Sequence, residues 1–154
     1  MLTQPTTRVE PASATDLPAL VSLIGELFAI EKDFNPDPRR QECGLRALLN
    51  MRETAAIYVA RGPTGDVVGM VTAQLVISTS EGAPSAWVED LVVRAEYRRT
   101  GVARELTRQI LDWARSRGAT RAQLVYDLDN DAAIRFYEHT GWSRTHLGVR
   151  RQVL

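Results

Sequence analysis

Two acidic residues, Glu89 and Asp90, stand side by side inside an otherwise apolar run, WVEDLVV, from Trp87 to Val93. Carboxylates in such a place are structurally paired, or they act as a base or as ligands for a cation. After a polar, arginine-bearing turn, Arg94 to Thr100, Gly101 opens a stretch in which Val102, Leu106, Ile110 and Trp113 recur at helical spacing. A strand, a turn and a helix start together make an anion site. The N–H groups of a helix's first turn lack partners, and the helix dipole adds partial positive charge there. Phosphate is the usual guest. Gly101 lets an anion oxygen come close to the backbone, and Ala103 is almost as small. Arg98, Arg99 and Arg104 add mobile positive charge at the rim. Neither a Walker loop nor the three-glycine dinucleotide fingerprint is present.

The elements that must hold these residues follow from periodicity. Arg8 to Pro11 predicts a short strand, after a polar stretch, residues 1–7, expected to be disordered. Ser13 or Thr15 caps a helix whose apolar face is Leu17, Leu20, Leu23, Ile24, Leu27 and Phe28. Two prolines between Glu31 and Arg40 end that helix, and a second is expected over about Arg39 to Met51, burying Leu45, Leu48 and Leu49. Strands are predicted over Ala56 to Arg61 and Val67 to Ser78, with a turn at Gly62 to Asp66 and a loop at Gly82 to Pro84. Gly118 stands where the anion-site helix should end, and Ala122 to Tyr126 is another strand. Asp129 or Asn130 caps a last helix that stops at Gly141, and two short strands close the chain. The order β-α-α-β-β-β-α-β-α-β-β describes an α/β sandwich, a mixed sheet flanked by helices.

Composition narrows the function classes. At 154 residues, with no linker or repeat, one domain over residues 8–154 is expected. Basic and acidic residues number 19 each, so bulk charge points to neither nucleic acid nor an anionic membrane. No apolar run is long enough for a bilayer, and the start lacks a basic-then-apolar signal pattern. The lone Cys43 rules out an internal disulfide and a cysteine-based zinc site; it reads as a packing or surface thiol. His139 and His146 are isolated, so no metal is expected. A cytoplasmic protein is the simplest reading. Eighteen of the basic residues are arginine and only Lys32 is lysine, which reads as a coding bias.

The loop fits the pattern Arg/Gln-x-x-Gly-x-Gly/Ala at Arg98, Gly101 and Ala103. A second pattern, Asn-x-x-Ala-x-x-Phe-Tyr-x-x-x-Gly-aromatic, appears at Asn130, Ala133, Phe136, Tyr137, Gly141 and Trp142. Together, in this order, they resemble the GCN5-related N-acetyltransferase (GNAT) family across nearly the whole chain. Arg99 and Thr100 depart from the glycine and basic residue common there, in a loop whose backbone N–H groups do most of the cradling. The resemblance implies a mainly antiparallel central sheet and acetyl-CoA as donor. It implies donor contacts along Leu91, Val92 and Val93, around Arg98, Arg99, Thr100, Gly101, Val102, Ala103 and Arg104, and at Asn130 and Tyr137. Leu91 and Val93 would act through main-chain atoms.

Direct attack by an amine on a thioester needs a base, an oxyanion partner and an acid for the departing thiolate, but no protein nucleophile. The resemblance makes Tyr137 the acid, with Phe136 in the core. It favours Glu89 as base, acting through water, and leaves Asp90 open; adjacent strand residues face opposite ways unless the strand bulges. The acceptor cleft would come from the first two helices and their loop. There Glu26, Glu31, Asp33 and Phe34, with Glu89 and Asp90, outline an acidic cleft with an aromatic wall, suited to a small cationic amine. A protein or peptide amino group is the second acceptor class. The rivals are a non-catalytic acyl-CoA sensor, which has no need of Tyr137, and a nucleotide-binding module, which lacks a Walker lysine and magnesium ligands. Homodimers are common on this fold, so a homodimer is a possible state, though nothing in the sequence proves one.

Overall fold

The computed structural model describes residues 6–154. Five strands form one sheet in the order β1-β2-β3-β4-β5: Arg8–Pro11, Ala55–Arg61, Val67–Ser78, Ala83–Val93 and Arg121–Leu124. The first four pair antiparallel, and β4 and β5 run parallel. Helices α1 (Leu17–Ile30) and α2 (Pro38–Asn50) precede β2; α3 (Val102–Ser116) makes the crossover between the parallel strands, and α4 (Asp131–His139) follows β5. This is the mixed, mainly antiparallel sheet flanked by helices that the sequence predicts.

Alternation along each strand sorts the core into two layers. Ile57 and Val59 of β2 and Met70 of β3 pack with Leu20, Leu23 and Ile24 of α1 and Leu45 of α2. Ala60, Val68, Val71 and Val88 pack on the other face with Val102, Leu106 and Ile110 of α3. Gly69 permits that second layer to close: a Cβ there would lie 3.2 Å from Leu106 Cδ1 and 3.1 Å from the Val92 carbonyl oxygen. At the edge of the sheet, the Arg61 guanidinium donates to both Asp16 carboxylate oxygens at 3.0 Å and pairs with Glu10. Burial pushes the Asp16 carboxyl up, but Arg61 and the Ser13 N–H outweigh it and hold it below the usual range. The triad pins β1 and the turn into α1 onto β2.

Several boundaries differ from expectation. Ser13 caps a short 3-10 turn, Ala14–Asp16, ahead of α1. α2 begins at Pro38, because Asp37 accepts from the Arg39 and Arg40 N–H groups at 3.2 Å and proline suits the first turn. The first helix does end ahead of the two prolines, at Ile30, and Pro38 also starts the second. β5 stops at Leu124, two residues short of Tyr126. The two closing strands do not form: residues 142–154 have no strand, and Leu147, Val149 and Val153 remain 77%, 64% and 88% exposed. With its apolar side chains in solvent, that segment gains no burial from pairing. The disorder expected of residues 1–5 lies outside the described residues; Thr6 and Thr7 lead irregularly into β1.

Candidate active site

The site lies where β4 outruns β5. The parallel pair covers only Ser85–Val88 against Arg121–Leu124, and β4 continues to Val93 with no strand on that side. Leu91, Val92 and Val93 are in this free stretch. At its centre the register with β3 slips: Met70 faces Val92 and Thr72 faces Glu89, so Asp90 and Leu91 together oppose Val71. That is a β-bulge, with Asp90 at φ 53°. It reverses the strand's alternation, since Val88 packs with Leu91 and Val93 on the α3 face while Val92 joins the opposite layer. The strand therefore does bulge where its two carboxylates stand.

Their environments differ. Glu89 is exposed, whereas Asp90 is half-buried and accepts from the Thr72 hydroxyl at 3.1 Å. Burial, then the Glu89 charge, push the Asp90 carboxyl up to about 6 against the pull of Thr72. Glu31, just past α1, is raised too, by burial first and then by Asp90, Asp127, Asp33 and Glu89. Tyr137 is pushed up to about 12, by burial and then by Glu31. Glu31 is thus the electrostatic link between the bulge and the tyrosine. Tyr137 sits among Tyr126, Phe136 and Trp142, with ring centroids 5.9, 5.4 and 5.9 Å away. Phe136 is half-buried in this aromatic group and belongs to neither core layer, contrary to the core position expected of it.

Below β4, Arg98 donates from Nε to the Val93 carbonyl at 2.9 Å, and the Thr100 hydroxyl donates to the Tyr97 carbonyl at 2.6 Å. Arg99 and Gly101 both take positive φ, 64° and 93°. The chain so enters α3 with the N–H groups of Val102, Ala103 and Arg104 in its first turn, free of intrahelical acceptors. A Cβ at Gly101 would meet nothing within 4 Å, so the glycine is required by its dihedral and not by crowding. Arg99 and Arg104 are exposed beside it. Asn130 caps α4, accepting from the Ala133 N–H at 3.1 Å.

The α1–α2 loop approaches from above. Lys32 pairs with Asp129, tying this loop to the turn before α4. Phe34 stacks on Phe28 at 4.9 Å, and a cavity of about 530 Å³ opens beside them, bordered by Asp33, Asp37, Arg40 and Gln41. Glu26 is set apart: it lies 4.0 Å from the Arg94 guanidinium at the end of β4. Among the described residues, no three or more His, Cys, Asp or Glu residues are grouped to hold a metal ion. No helix among the described residues is long and apolar enough to cross a membrane. Thr72, Asp127 and Tyr126 were missed by sequence reasoning; a lone buried threonine in an apolar strand was the one available signal.

The splayed strands and the unpartnered first turn suit an extended ligand that carries a pyrophosphate along its length. The comparisons agree with that geometry. The chain is 40% identical over 58 residues to N-alpha-acetyltransferase 30 of Schizosaccharomyces pombe, covering 38% of this chain and 39% of that protein. It is 33% identical over 81 residues to N-acetyltransferase 8 of Mus musculus, covering 53% and 36%. The matches thus span less than two fifths of the length of these curated relatives. A transcriptional regulator from Bacillus halodurans C-125 shares the fold, with TM-score 0.81, 22% identity, and 96% and 100% of the two chains covered. Residues 24–142, well over half of the chain, match the Acetyltransferase (GNAT) family, and the chain belongs to that family.

Proposed function

We propose that the chain is a single-domain, acetyl-CoA-dependent N-acetyltransferase whose acceptor is a small cationic amine, attacking directly in a ternary complex. Bound acetyl-CoA supplies the activated acyl carbon as a thioester. The free edge of β4 from Leu91 to Val93 orients the donor's arm, and the Val102–Arg104 N–H groups with the rim arginines hold its pyrophosphate. Asp90, the more buried of the two carboxylates at the bulge, takes the amine's proton, directly or through a water. Tyr137 gives its hydroxyl proton to the leaving sulfur. The observation that carries this reading is the bulged end of β4, unpaired on one side, beside the free first turn of α3. Two groups that burial raises flank it, Asp90 to about 6 and Tyr137 to about 12. At neutral pH the first is mostly ionised and can accept a proton, while the second keeps one to donate.

The acceptor class rests on the mutually repelling carboxylates Glu31, Asp33, Glu89 and Asp90, with Asp33 bordering the cavity at the Phe34 ring, a setting that attracts cations. The likeness to N-alpha-acetyltransferase 30 supports a protein amino group as the second reading. A cytoplasmic setting is consistent with the exposed, unpaired Cys43.

The test is acetyl-CoA-dependent thiol release against polyamines, aminoglycosides, amino acids and peptide N-termini, with products identified by mass spectrometry. With a competent acceptor, kcat/KM should rise with pH through about 6, and that step should vanish in Asp90→Asn. Tyr137→Phe should slow turnover about a hundredfold while donor affinity holds. Unchanged turnover in Tyr137→Phe removes it as the acid; thiol release only with peptides moves the acceptor to the second class.

A further inference from the structure

Residues 143–154 lie without regular structure, yet two of their side chains pair with the body of the protein: Arg144 with Glu138 of α4 at 3.8 Å, and Arg151. The Arg151 guanidinium carbon sits 4.9 Å from the centroid of the Phe34 ring, and its Nη2 is 3.8 Å from an Asp33 carboxylate oxygen. Phe34 is braced from behind by Phe28, which fixes the plane of the ring. An aromatic face plus a carboxylate is the minimum equipment for holding an alkylammonium or guanidinium ion. The cavity beside it carries a second sign of a missing polar guest: both side-chain polar atoms of Gln41 are out of contact with solvent and have no hydrogen-bond partner.

The rest of the segment gives Arg151 little help. Leu147, Val149 and Val153 stay largely in solvent, so no apolar burial fastens it down. What holds the segment over the α1–α2 loop is therefore one exposed cation–π contact and one exposed ion pair, which are weak and easily displaced. A tethered group of this kind acts as a local competitor at millimolar effective concentration.

We propose that Phe34 and Asp33 form a cation subsite of the acceptor cleft and that Arg151 is its intramolecular occupant, which a cationic acceptor must displace. The proposal rests on the reading of this cleft as the acceptor site, and it adds a built-in competitor. Cationic ligands then pay for the release of Arg151, and neutral ones do not.

Agmatine, which carries a guanidinium and a primary amine, is the probe, titrated by calorimetry without any donor. Arg151→Ala should bind it about two- to fivefold more tightly than the parent chain, the strength of an exposed cation–π contact. Arg150→Ala, which removes the same charge from the neighbouring residue, should leave affinity unchanged. Adding Phe34→Ala to Arg151→Ala should abolish the gain. Equal tightening by Arg150→Ala would reduce the effect to bulk charge and overturn the proposal. So would unchanged or absent agmatine binding in Arg151→Ala. Because the readout is equilibrium binding, a protein that binds agmatine in this pattern but acetylates no amine would refute the proposed activity and leave the subsite standing.

Discussion

α3 and α4 both start beside the open end of β4, and they are held in opposite ways. α3 buries Val102, Leu106, Thr107, Ile110 and Ala114 against the sheet, whereas α4 has only half-buried residues on its inner face. The first presents backbone N–H groups whose usefulness depends on a fixed direction. The second presents a phenol, kept in place by three neighbouring rings and the Asn130 cap. The contrast separates a rigid frame, proposed to grip the donor's pyrophosphate, from a yielding wall that carries the proposed acid. Local stability should follow it, with α3 amides exchanging near the global unfolding limit and α4 amides through smaller openings.

The widest gap should appear on truncating one apolar residue in each helix. Leu106 is fully buried, so Leu106→Ala should cost about 3 kcal/mol in denaturant unfolding, while half-buried Ile134→Ala should cost about 1 kcal/mol. Equal losses would break the comparison. Next in size is Gly101→Glu, which forces a side chain onto a backbone at φ 93° and puts negative charge at the helix start. Acetyl-CoA affinity by calorimetry should fall about tenfold; undiminished binding would mean the loop does not hold the pyrophosphate. Smallest is Asn130→Ala, worth about 1 kcal/mol through loss of the cap to Ala133. Faster amide exchange is expected in α4 with α3 unaffected, and an equal response in both would show that α4 is coupled to the core.

The same contrast explains what the sequence disclosed. α3 was legible because its buried side chains recur at helical spacing, and β4 because an apolar run beside that helix has few alternatives. The bulge was not: nothing local tells that Asp90 and Leu91 share one partner, since that depends on how β3 lines up across the sheet. The Arg61 triad joins residues from positions 10, 16 and 61 and leaves no local trace either. The closing strands failed for the converse reason. Leu147, Val149 and Val153 alternate as a strand would, but alternation is a request for a partner, and none is met. Pro38 shows how one residue type carries opposite meanings, set by whether an acidic cap precedes it.

The bulge at Asp90 has a consequence for anyone improving this protein's robustness. Folding lifts that carboxyl from near 3.8 to about 6, so the native state holds the proton more tightly than the unfolded chain does. Stability from this group is full below about pH 4 and is lost as pH rises through about 6. At neutral pH Asp90 is a standing cost of about 3 kcal/mol. Asparagine tolerates the left-handed backbone and carries no charge, so Asp90→Asn should raise the Tm at pH 7.5 and leave it nearly unchanged at pH 4. A thermostability screen run blind to turnover would select that variant early, and would thereby discard the proposed base.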